Sequence, residues 1–150
     1  MELSGRTGPF WDSVAGRAPM PKAAATLGFE FIAADVAEQT IELAFHAPDA
    51  FTNPAGNVLG AFLAAMLYDT VGPALLATLA PDQFQSTLSL NVNFLRPARP
   101  GRLLAKGRVV RRDGDVATLE ASLTDATDVT IATATAVARV IPISHAASVV

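Results

Sequence analysis

Apolar and polar residues alternate along several stretches of this chain and cease to alternate in one. Ile41, Leu43 and Phe45 interleave with Thr40, Glu42 and Ala44. That period of two predicts a strand over Glu38 to Phe45 with one buried face. Leu27 to Ala34 reads as its partner, and Asp35-Val36-Ala37 is short enough to close a hairpin. Leu88, Leu90, Val92 and Phe94 share one face of a strand over Thr87 to Leu95, with Thr87, Ser89, Asn91 and Asn93 on the other. Arg102 to Arg112 and Val116 to Asp125 predict two more strands, joined through Asp113-Gly114, a strong hairpin signal. Thr130 to Ile141, rich in Thr, Ala and Val, is the last strand. The exception is Phe62-Leu63-Ala64-Ala65-Met66-Leu67. It sits in a helix predicted from Gly60 or Ala61 to about Leu79, and a helix apolar on all sides is normally enclosed. Gly72-Pro73 is its weak point, where it is expected to bend or restart. Pro9 to Val14 reads as a short helix whose aromatics pack on the body, broken by Pro19 and Pro21. The tail from Ser144 is expected to be loose.

Two strands, one long helix and four strands predict an α+β fold, an antiparallel sheet of five to six strands curled around the helix. The sheet buries its concave face, and a second copy of the chain would cover an edge or the outer face. Composition points the same way. Of 150 residues 51% are apolar and only 17% are charged, low for a fully exposed monomer. A net charge of -3 with no long basic run argues against nucleic acid. With no cysteine there is no disulfide or thiol nucleophile, and no metal-ligand spacing surrounds His46 or His145. No apolar stretch reaches the 18 to 20 residues of a membrane span, and Met1 to Thr7 is polar, so a cytoplasmic location is the expectation.

Candidate chemistry gathers in Asn53-Pro54-Ala55-Gly56-Asn57-Val58-Leu59-Gly60-Ala61 and the helix it enters. The Gly60 and Ala61 amides stand at the helix start, where N–H groups lack internal partners and the aligned dipole favours negative charge. They are candidates for an oxyanion site; the plainer alternative is an ordinary tight turn. Asp69, the only acid in the helix, is a candidate general base or nucleophile, or else a carboxylate paired at a dimer interface. Tyr68 can donate a hydrogen bond or line a pocket, but with a reference pKa of about 10 it is a poor base. Thr87 on the polar strand face can position a water, or simply be a β-branched strand residue. Asn53 can hold its loop or orient a nucleophile. Arg102, Lys106, Arg108 and Arg112 share a strand face, which is either solvated or a rim for phosphates.

These residues resemble the hotdog-fold thioesterases, most closely the PaaI-like acyl-CoA thioesterases, over about residues 22 to 142. The anchors are Asn53, Gly56, Leu59-Gly60-Ala61, the helix to Asp69, Thr87, Asn93-Phe94-Leu95-Arg96-Pro97 and Gly101. The resemblance leaves 1–21 as an N-terminal extension and 143–150 as a tail. It implies a dimer or dimer of dimers with sites at the dimer interface, hydrolysis of a fatty or aromatic acyl-CoA, and no cofactor or metal. Under it, Gly60 and Ala61 polarise the thioester, and Asp69 with Thr87 and Asn53 manages water. Arg96, Arg99 and Arg108 are candidates for the coenzyme A phosphates, and Phe62 and Met66 for an acyl tunnel. The chain departs from the pattern at three places. Leu59 stands for the family's His or Gln, Ala61 for its second Gly, and Tyr68 for its catalytic carboxylate. Those departures keep two other readings open, a non-hydrolytic acyl-CoA or small-ligand binder and an enzyme with altered chemistry through Tyr68.

Overall fold

In the computed structural model, residues 5–150 are described. The polar N-terminus read at Met1 to Thr7 therefore lies partly outside the described residues. The elements run α1 (Pro9–Val14), α2 (Lys22–Thr26), β1 (Glu30–Asp35), β2 (Thr40–Ala47), α3 (Gly60–Leu76), β3 (Gln83–Phe94), β4 (Gly101–Asp113), β5 (Val116–Thr124) and β6 (Thr130–Pro142). All six strands form one antiparallel sheet in the order β1-β2-β4-β5-β6-β3. α3 packs against β2 to β6, so the sheet wraps the helix as expected. The core is a single cluster in which Leu67, Val71 and Leu75 meet Leu43, Phe45, Leu103, Leu119 and Leu123.

α3 ends earlier than the apolar run suggested, and it runs through Pro73 without restarting. Proline has no N–H, so the Asp69 carbonyl loses its helical donor there. Burial of Val71 to Leu75 holds the helix together regardless. α3 lies close against β4 at Gly107, where an added Cβ would stand 3.0 Å from Thr70 Cγ2 and 3.2 Å from the Thr70 carbonyl oxygen. Gly107→Ala should therefore push α3 off β4 and cost about 1–3 kcal/mol in chemical denaturation. No loss would show that the helix shifts freely.

α1 forms as predicted. Phe10, Trp11 and Phe31 meet edge to face, with centroids 5.1 to 6.1 Å apart. Trp11 Nε1 donates to the Ala77 carbonyl oxygen at 3.1 Å, satisfying the C-terminal end of α3. The N-terminal segment is thus docked over the far end of the central helix. α2 was not anticipated, since Lys22-Ala23-Ala24-Ala25-Thr26 has no apolar period. The tail forms a 3₁₀ turn over Ile143–Ser148 against β3 and β6 instead of hanging loose.

Two bulges change which residues share a face. The register of β3 slips between Thr87 and Ser89, leaving Leu88 unpaired. Thr87 consequently sits on the helix side with Leu90 and Val92, buried, and not with Ser89, Asn91 and Asn93. A second slip between Val109 and Arg111 takes Arg112 off the outer face that Arg102, Lys106 and Arg108 share.

Candidate active site

The turn before α3 is built by Asn53. Its Oδ1 accepts from the Ala55 and Asn57 backbone amides at 3.0 and 3.1 Å, and its own N–H donates to the Asn57 carbonyl at 2.7 Å. Gly56 supplies the φ of +82° that closes the loop. Val58 donates to the Ala98 carbonyl at 2.8 Å and Leu59 to the Phe51 carbonyl at 2.8 Å, fixing the entry to the helix. The Gly60 and Ala61 amides then have no acceptor among the described residues, and Ala61 is exposed. The helix end is open, although Phe94 flanks it: an added Cβ on Gly60 would stand 3.2 Å from the ring. Leu59 is 43% exposed and offers no polar group there.

Asp69 lies further along α3, where two cavities flank the helix. One, of about 240 Å³, is bounded by α1, α2, α3 and β3; Phe10, Val14, Met20, Phe29 and Phe84 give it apolar walls. The other, of about 430 Å³, opens along the alanine face at Ala61, Ala64 and Ala65. Tyr68 and Asp69 line both, despite the helical rotation of about 100° between neighbours. Asp69 Oδ2 is buried with no hydrogen-bond partner. Burial pushes its pKa up to about 7 from the ordinary 3.8. No ion pair among the described residues involves it.

The other candidates fall in different places. Thr87 Oγ1 donates to Gln85 Oε1 at 3.2 Å instead of facing a polar surface, because of the β3 bulge. Arg99 reaches the Asn53 turn, its guanidinium 3.8 Å from the Cβ position of Gly56. Arg96 donates to the Thr130 carbonyl at 3.0 Å. Arg108 is separated from both, since it pairs with Glu120 on the sheet's outer face, away from α3. Phe62 stacks on Phe51 at 3.8 Å and Met66 is fully buried, so neither lines these two cavities; α1, α2 and β3 supply the apolar walls. Gln85, 7% exposed and lining the cavity against α1 and α2, was missed by sequence reasoning. The polar run Gln83-Phe84-Gln85-Ser86-Thr87 masks the strand, and its two-residue spacing from Thr87 points it inward only once the bulge at Leu88 has turned Thr87 toward the helix.

Residues 55–132 match the model of the thioesterase superfamily. A phenylacetic acid degradation-related protein of Ralstonia eutropha JMP134 is 39% identical, with a TM-score of 0.84 over 87% of this chain and 98% of that one. PaaI of E. coli, from the phenylacetic acid degradation operon, superposes at TM-score 0.77 and 16% identity over 88% of this chain and 93% of its own. The smu.793 protein of Streptococcus mutans UA159, solved bound to acetyl CoA, superposes at 0.68 and 19% identity over 76% and 89%. No curated protein matches the sequence. With its family model, its PaaI-related neighbours and its helix-wrapping sheet, the chain belongs to the thioesterase superfamily and has the hotdog fold.

Proposed function

We propose that the protein hydrolyses an acyl-CoA thioester, with Asp69 as the general base. The observation that carries this reading is the unpartnered Asp69 carboxyl at the junction of an apolar chamber and an open groove. A carboxylate whose pKa lies near 7 is a far better base than an ordinary one and is still half ionised at neutral pH. It takes a proton from water as the oxygen attacks the thioester carbon. The Gly60 and Ala61 amides hold the resulting oxyanion. The C–S bond then breaks, and the proton on Asp69 passes to the departing thiolate. Arg99, beside the Asn53 turn, and Arg96, three residues earlier in the chain, suit the coenzyme's phosphates.

One chain cannot assemble this site. Gly60 and Asp69 are nine residues apart on one helix, about 13 Å at 1.5 Å per residue. Both groups must act within about 3 Å of the same thioester. A second copy therefore supplies Asp69 to the first copy's amides. The surface supports such pairing, since β3 is an edge strand and Leu88, Phe94 and Leu95 are 52%, 56% and 51% exposed. A homodimer, or a dimer of dimers built from it, meets this requirement.

Leu59 and Tyr68 favour a second reading, binding without turnover, because leucine offers no polar group to orient a water and a phenol is a poor base at neutral pH. Thiol release from a panel of acyl-CoAs separates the two. Turnover that Asp69→Asn abolishes is the expected result, and tight binding without release would establish the binder instead. If Tyr68→Phe alone removes turnover, the tyrosine carries altered chemistry.

A further inference from the structure

Two polar atoms in the cavity walled by α1, α2 and β3, Asp69 Oδ2 and Gln85 Nε2, lack protein partners, and they have opposite hydrogen-bonding character. Asp69 Oδ2 is an acceptor. The other is the side-chain amide of Gln85. Thr87 Oγ1 donates to its Oε1 at 3.2 Å, which turns Nε2 the other way. That nitrogen lies against the helix at Gly72, 3.0 Å from where a Cβ would stand. It has no acceptor among the described residues. Gly72 is three residues past Asp69, so Gln85 meets α3 about 4.5 Å further along its axis than the carboxyl. That offset from the base sets it beside the acyl group and not at the scissile carbon. A ligand that fills the chamber displaces the water this donor can bind, and one that offers no acceptor leaves the donor unmatched, at a cost in affinity.

We infer that Gln85 selects acyl groups carrying an oxygen acceptor three to four bonds beyond the thioester carbon, with Thr87 as the positioning residue that fixes its amide. An apolar chain of the same length fills the chamber but leaves the donor unmatched. A site that hydrogen-bonds a substrate rejects the analogue lacking that group far more strongly than it rejects a missing methylene. The inference rests on the acyl-CoA reading above, and it assigns Thr87 to Gln85 instead of to the attacking water.

Binding to non-hydrolysable thioethers tests it on the full chain by calorimetry, independently of turnover. S-hexyl-CoA is compared with its 3-oxo and 4-oxo counterparts at pH 8, where Asp69 has largely lost its proton and cannot donate to the same oxygen. The expected result is at least about tenfold tighter binding of one oxo ligand. Gln85→Leu should erase that preference, so that the oxo ligands bind no tighter than S-hexyl-CoA. Thr87→Val keeps the shape of the side chain but frees the amide, and should reduce the preference several-fold. Equal affinities in the wild type, or a preference that survives Gln85→Leu, would overturn the inference while leaving thioester hydrolysis standing. If Gln85→Leu does not fold, Thr87→Val decides, and an undiminished preference there overturns it. Failure of all three thioethers to bind would overturn the acyl-CoA reading together with the inference.

Discussion

Asp69→Asn is expected to lower kcat by about two to four powers of ten, because the amide cannot take a proton from water. The wild-type rate should rise with pH through an apparent pKa near 7, and the residual rate of the variant should not. The same substitution is expected to stabilise the fold at high pH. The folded-state pKa of Asp69 lies above its ordinary 3.8, so between those values the folded protein holds a proton that the unfolded chain has released. Its contribution to stability therefore falls as pH rises from about 4 to about 7, and the full penalty stands above that. The shift corresponds to about 4 kcal/mol at most, and solvent reaching the partly exposed carboxyl reduces it. Denaturation at pH 8 and pH 4 checks this: Asp69→Asn should gain stability at the higher pH and little at the lower. A variant that keeps more than about a tenth of the wild-type rate would remove Asp69 from the chemistry.

Two inactive variants are expected to restore each other when mixed. Asp69→Asn lacks the base, and Gly60→Val drives a side chain into Phe94 at the amide turn. If each site takes its amides from one copy and its carboxylate from the other, a mixed dimer contains one intact site and one doubly damaged site. Random reassortment then yields about a quarter of wild-type activity from two nearly silent preparations. Measuring thiol release before and after unfolding and refolding the mixture reads the effect directly. No recovery, with mixed dimers demonstrated, would mean that the site is completed within one chain.

The local chemistry of the chain announced much of this. Strict alternation in Thr40 to Phe45 and the Asp113-Gly114 turn are short-range signals, and β2 and the β4–β5 hairpin formed where they pointed. The uncharged run from Phe62 to Leu67 marked the one helix that the sheet could wrap. Unpaired amides at the start of that helix follow from helix geometry in any context.

Tertiary structure decided the rest, since each remaining feature depends on contacts remote in sequence. Alternation runs unbroken through Thr87, yet the one-residue bulge at Leu88 turns Thr87 inward, toward the helix and Gln85. Nothing near Asp69 in sequence foretells its raised pKa; the enclosing walls come from residues such as Phe10, Met20 and Phe84, brought there by α1, α2 and β3. A run of residues determines hydrogen bonds a few positions away, whereas desolvation is set by whatever the fold places around a group.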